Sequence, residues 1–366
     1  MTARRSPDAN AERGGNPIHT ADRGTVMARR WGPIRRPYTT SIVLVLLGVL
    51  VALEMLLRLR GRAAWHVPSV PSTEPAMVEY DSTLGWRNKP GTYVYAGYSL
   101  DAPDITVTIR TDGSRATAIR EEERPEHVVL LGDSFTFGWA VSDEDTYAWQ
   151  LHERFSKAEF SNHGAPGYGT YQSLLVLENL LSTPAAPPKL VIYGFADWQA
   201  ARNVGLPSWL RILALASRRG PVYVPYCTLG TDGTLRRHPP ERYWPWPFGG
   251  HSFLVAALED SYVSYASRLR MADEQPVTEQ LLREMNDVAQ RHASELVVVL
   301  LVPNSQYANY LATHGIRLID CARELTPALK VAGEGHPNGA MHAFWSRCIG
   351  DALVHEGFLD GRGAAH

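Results

Sequence analysis

Ser134 ends an apolar run, Val128-Val129-Leu130-Leu131, with Gly132 and Asp133 directly before it. A serine delivered at the end of a hydrophobic strand is a candidate nucleophile, but a hydroxyl is weak until a base takes its proton. A strand followed by an ordinary turn explains most Gly-Asp-Ser triplets, so Ser134 needs partners. The stretch "SNHGAPGYGTYQ", Ser161 to Gln172, sets Gly164, Gly167 and Gly169 where backbone can turn sharply and approach a substrate. Exposed N–H groups there would stabilise an oxyanion. Further on stand "VIYGFADWQAARN" and "GEGHPNGAMH", Gly333 to His342. No Gly-x-Ser-x-Gly elbow surrounds Ser134, which argues against the α/β-hydrolase route to the same chemistry.

These residues need a frame. From His127 onward, apolar strands alternate with amphipathic helices. Strands are expected at His127–Leu131, Glu159–Asn162, Leu190–Tyr193, Glu295–Leu301 and Ile316–Ile319. Helices are expected at Tyr147–Ser156, Tyr171–Leu181, Val277–Ala293 and His342–Val354. Leu174, Leu177, Leu180 and Leu181 fall at helical spacing and form a core-facing stripe. Such alternation implies an α/β fold, a parallel sheet covered on both faces. In an open parallel sheet, ligands bind beyond the carboxyl ends of the strands, the edge Ser134 occupies.

Taken in order, the blocks resemble the SGNH/GDSL hydrolase family over residues 127 to 356. Gly132-Asp133-Ser134-Phe135 looks like its first block, and Asn162-x-Gly164-x-Pro166-Gly167 is similar to its second. His336-Pro337-Asn338 resembles its last, and "YDSTLGWRNKPG", Tyr80 to Gly91, resembles the lead-in of membrane-anchored members. The resemblance implies a flavodoxin-like three-layer α/β/α fold with about five parallel strands. It also implies Ser134 as nucleophile, His336 as base, and the Ser134 and Gly167 N–H groups as the oxyanion hole. The sequence departs from the pattern twice. Ala196 stands where the family has an oxyanion-hole asparagine, and the loss of one such donor costs about a hundred- to a thousand-fold in rate. Gly333 stands where the family has its orienting Asp. Glu334, two residues before His336, is the expected substitute, to set the tautomer and stabilise the imidazolium. Asp133 and Asp197 are expected to anchor loops by accepting backbone N–H bonds.

Composition narrows the function class. In 366 residues the apolar fraction is 45%, the charged fraction 20% and the net charge −2, which gives no reason to expect nucleic acid. Cys227, Cys321 and Cys348 lack metal-ligand spacing, and no cofactor or metal is expected. An odd count excludes full pairing within the chain; Cys321 with Cys348 is one possible pair.

Five segments are expected: a disordered basic tail over 1–40, a transmembrane helix over 41–58, and a linker with membrane-proximal strands over 59–125. The hydrolase-like domain covers 126–357, with an aromatic-rich insertion around 204–270. The linker holds the proline-rich "HVPSVPSTEP", and the insertion a hairpin near Asp232-Gly233 and then "ERYWPWPFGG". That aromatic segment is either a self-packed excursion or a wall of the site. The apolar run Ser41 to Leu57 is a membrane span or a buried core helix. The basic tail before it and Arg58, Arg60 and Arg62 after it favour the span. The heavier arginine load before it, Arg29, Arg30, Arg35 and Arg36 with others further out, favours a cytoplasmic N-terminus and an extracytoplasmic body. The function expected is a serine esterase acting on an ester-bearing lipid or glycan, with two alternatives. One is an O-acyltransferase of a cell-envelope or exopolysaccharide glycan; the other, motivated by Ala196 and Gly333, is an inactive carbohydrate-binding scaffold.

Overall fold

The computed structural model describes residues 37–61, 75–120, 123–183, 186–216 and 221–360. Most of the expected basic tail and the proline-rich linker lie outside these residues. The chain divides into two units, 1–53 and 54–366. In the first, the described residues belong to helix α1, Pro37–Leu59, which runs on into the second. The helix starts at Pro37 rather than at 41, because proline's fixed φ suits the first helical position, whose N–H would be unpaired anyway. Residues 38 to 59 are long and apolar enough to cross a membrane.

The second unit opens with two antiparallel pairs. β1 (Val78–Asp81) pairs β2 (Gly85–Asn88), and β3 (Gly91–Tyr95) pairs β4 (Ile105–Ile109). Then β5 (Glu126–Gly132) leads into the one-turn helix α2 (Ser134–Phe137), followed by α3 (Tyr147–Arg154) and β6 (Ala158–Asn162). Next come α4 (Thr170–Leu181), β7 (Leu190–Phe195), α5 (Gln199–Asn203) and α6 (Pro207–Ala216). The hairpin β8 (Val224–Leu229) and β9 (Leu235–Glu241) precedes two long helices, α7 (Phe253–Met271) and α8 (Glu274–Arg291). β10 (Glu295–Leu300), α9 (Ser305–Thr313), β11 (Arg317–Asp320) and α10 (Gly339–His355) complete the unit.

Five strands form one parallel sheet in the order β11-β10-β7-β5-β6. The first strand is flanked by the second on one side and the third on the other, the flavodoxin-like arrangement, whose order reverses at β5. The three inner strands, β10, β7 and β5, are buried on both faces over most of their length, which is why their sequences are nearly continuously apolar rather than alternating. Val129, Leu131, Val191 and Tyr193 face α4 and α8, while Val128, Leu130, Leu190 and Ile192 face α3 and α10. Cys321 and Cys348 form a disulfide from the end of β11 to α10, and Cys227 is free and buried.

Candidate active site

The reversal of strand order leaves a crevice beyond the carboxyl end of β5, and Ser134 sits in it as the first residue of α2. Gly132 makes the sharp exit possible: its φ is +152°, and a Cβ there would collide with the Thr136 side chain and stand 2.9 Å from Gly194 O. Asp133, wholly buried, fixes the turn. One carboxylate oxygen accepts the Phe135 N–H at 3.0 Å, the other Trp198 Nε1–H at 2.7 Å and Arg202 Nη1–H at 2.9 Å. From below, buried Arg115 pairs with Asp143 at 2.9 Å and donates to the carbonyls of Phe137, Gly138 and Val141 around the end of α2. A lone arginine in a polar stretch such as that around Arg115 gives no sequence sign of this role.

The second block comes alongside. Asn162, at the end of β6, donates Nδ2–H to Thr136 O at 2.8 Å and accepts the Gly164 N–H at 3.0 Å. Gly167 has φ +83°, which favours glycine, and a Cβ there would press on the Trp86 ring at 3.2 Å. The β1–β2 hairpin buttresses this loop: Trp86 Nε1–H donates to Pro166 O at 2.9 Å and Asn88 Nδ2–H to Gly164 O at 2.9 Å. Among the described residues, neither the Ser134 nor the Gly167 N–H donates to a protein acceptor.

From the loop before α10, His336 reaches back over 202 positions of sequence and sets Nε2 3.0 Å from Ser134 Oγ. Its Nδ1 lies 2.7 and 2.9 Å from the two Glu334 oxygens, and Glu334 also accepts the His336 backbone N–H at 2.7 Å. Trp139 Nε1–H donates to the same carboxylate at 3.1 Å. Burial opposes ionisation of Glu334, but the hydrogen bonds and charge of His336, with the Trp139 N–H, outweigh it and hold the carboxyl below its usual range. Glu334 therefore takes the place beside the imidazole, and Gly333, with φ +81°, turns the loop that brings it there.

Other expected residues sit differently. Asp197 is exposed, and among the described residues its side chain has no hydrogen-bond partner. That turn is tied instead by the Asp197 carbonyl, which accepts the Ala200 N–H at 3.0 Å, so the expected side-chain anchor is corrected. Ala196 is completely buried and absent from the crevice wall. Its polar neighbours do not replace a donor. Gln199 binds Tyr193 OH and Gly194 O, and Asn203 donates to Thr170 and Thr278 in the core.

Ser134, Gly167 and His336 line one cavity of about 860 Å³ with mainly apolar walls, inside the range that small-molecule sites occupy. Trp86 and Tyr80 come from the first hairpin, Trp139 from the loop after α2, Trp209 and Leu213 from α6, and Tyr223 from the segment just before β8. The aromatic segment at 243–248 contributes nothing to this wall. Tyr243 OH and the Trp246 N–H bind Glu259 of α7 instead, at 2.5 and 3.2 Å. Arg202 lines the cavity beside Gly167, its guanidinium 5.0 Å from the centre of the Trp209 ring.

The chain resembles the SGNH/GDSL hydrolases. No family model matches the sequence, and no curated protein matches it. Among solved structures, it is similar to a member of the lipolytic G-D-S-L family from Veillonella parvula, at 14% identity and TM-score 0.37, over 63% of this chain and 98% of that one. It is also similar to TesA, at 12% identity and TM-score 0.38, over 64% and 100%. An acetyl xylan esterase from Butyrivibrio proteoclasticus matches at 11% identity and TM-score 0.35, over 73% of each chain. These values describe a distant likeness, and the chemistry available here rests on the site's own geometry.

Proposed function

We propose that the chain is a membrane-anchored serine esterase that works through an acyl-enzyme on an ester-bearing lipid or glycan outside the cytoplasm. One observation carries the reading: Ser134 Oγ, His336 Nε2 and the Glu334 carboxylate form a continuous hydrogen-bonded line opening into an apolar cavity. His336 takes the Oγ proton as the oxygen attacks the ester carbonyl, and Glu334 stabilises the resulting imidazolium. The Ser134 and Gly167 N–H groups, which have no protein acceptor among the described residues, hold the tetrahedral oxyanion. His336 then returns the proton to the leaving alkoxide, and water, activated by the same nitrogen, releases the acid. The disulfide between Cys321 and Cys348 supports an oxidising compartment and hence a body outside the cytoplasm.

Transfer of the acyl group to a glycan hydroxyl uses the same intermediate, and the apolar walls, which disfavour bulk water, are the observation that supports this second reading. The test is labelling of the purified full chain by a fluorophosphonate, followed by turnover of short acyl esters with and without an acceptor sugar. Labelling and hydrolysis that vanish in Ser134→Ala are expected. Wild-type turnover in that variant overturns the assignment, and no labelling of the wild type favours an inactive scaffold. Acylated sugar formed at the expense of free acid favours the transferase.

A further inference from the structure

α7 is built the wrong way round for a surface helix, which normally buries its apolar stripe and exposes its polar face. Its buried side carries Ala256, Val263 and Ser267, with Ser267 Oγ accepting the Ser208 N–H of α6 at 3.1 Å. Its outer side carries Leu258, Tyr262, Tyr265 and Leu269, spaced four, three and four residues apart and between 51% and 62% exposed. The segment before α7 extends the same surface. The Trp246 ring lies 5.7 Å from that of Tyr262, while Trp244 and Phe248 are 68% and 73% exposed. A contiguous exposed apolar patch of this kind marks an interaction surface.

The start of α7 indicates which surface. Glu54 lies near the end of the apolar run of α1, and its carboxylate accepts the N–H groups of Phe253 and Leu254 at 3.0 and 2.8 Å and the Ser252 hydroxyl at 2.9 Å. Arg58, one turn on, donates to His251 O at 3.1 Å. The first turn of α7 is thus held by residues in the last turns of α1, on either side of the end of the hydrophobic stretch. Tyrosine and tryptophan are the side chains favoured at a membrane–water boundary, and the exposed Arg268 adds positive charge that suits anionic headgroups, while Arg58 is neutralised by Glu54 at 2.8 Å. We propose that the outer face of α7, with the Trp244–Phe248 segment, rests in the headgroup layer of the phospholipid bilayer. This rests on the reading of 41–58 as a span. α6 joins this face to the site, since it packs on α7 through Ser208 and the Arg211–Asp260 pair, at 2.6 Å, while Trp209 and Leu213 line the cavity.

The test reconstitutes the full chain in vesicles of phosphatidylethanolamine and phosphatidylglycerol, with an environment-sensitive fluorophore on Tyr265→Cys, Phe248→Cys or, as a control at an exposed position of α8, Gln290→Cys. The natural cysteines are paired or buried, so the introduced thiol takes the label. Unchanged hydrolysis of a short soluble ester verifies folding. Spin-labelled lipid is expected to quench the fluorophore at 248 and 265 several-fold more than at 290. Equal quenching at all three sites, in a chain that resists an alkaline carbonate wash, overturns the α7 face and leaves the span standing. Release by the wash overturns the span and the proposal together. A doubled mass with cross-linking through position 265 and no lipid quenching assigns the face to a second copy and likewise overturns it.

Discussion

Glu334 lies only two residues before His336 in sequence, yet Oε1 stands 2.7 Å from the ring Nδ1 while Oε2 accepts the histidine's own backbone N–H at 2.7 Å. A carboxylate two residues away reaches the ring because Gly333 and Gly335, both at positive φ, fold the loop back on itself. Glu334→Gln should lower kcat on a short acyl ester by about two to four decades while KM moves little, since the amide no longer favours the productive tautomer or the imidazolium. Steady-state kinetics check this, and an unchanged kcat would remove Glu334 from the reaction.

Arg202 and Asp133 form a largely buried ion pair that fixes the turn before Ser134. Arg202→Met should lower unfolding stability by roughly 3–5 kcal/mol, because it leaves a buried carboxylate without its counter-charge. Adding Asp133→Asn should recover part of that loss. Urea unfolding of the two single variants and the double variant measures the coupling.

Leu213 and Trp209 line the cavity on the α6 side. Leu213→Trp should disfavour long acyl chains relative to acetyl. Excluding two methylenes at about 0.8 kcal/mol each corresponds to roughly a tenfold change in the ratio of kcat/KM values. A chain-length series of nitrophenyl esters reads it directly, and an unaltered ratio would place the acyl chain elsewhere.

His342 is fully buried against Tyr147 and Trp345, and burial lowers its pKa to about 3. It is therefore neutral in the folded chain, whereas the unfolded chain takes up a proton below about pH 6.5. Stability from this group is complete above that pH and falls as pH drops, by about 1.4 kcal/mol per unit, until the folded value near 3 is reached. His152, lowered to about 4 chiefly by burial and then by the Arg124 charge, acts in the same direction. Urea midpoints at pH 7 and pH 5 should show the decline, and His342→Gln should make it shallower, leaving the His152 share.

The sequence by itself determined the frame. Apolar runs too continuous for a one-sided sheet made β5, β7 and β10 central strands, and helical stripes such as Leu174, Leu177 and Leu181 made their covers. Local signals of this kind survive because each element's burial pattern is written in its own residues. Ser134, Gly167 and His336 were legible because each lies in a short block at a strand or helix end. What only the tertiary structure decided was which distant groups meet. Arg115, Arg202, Trp139 and Trp209 come from four separate segments and carry no local pattern, and the block that holds Trp86 gives no sign that it meets Pro166, so their convergence on Ser134 follows from the tertiary fold and not from spacing. The aromatic segment at 243–248 reads in sequence equally well as a wall of the site. It turned away because Glu259, on α7, offered its carboxylate to Tyr243 and the Trp246 backbone. That choice depends on a buried hydrogen-bond acceptor in another element, and no property of the segment alone specifies it.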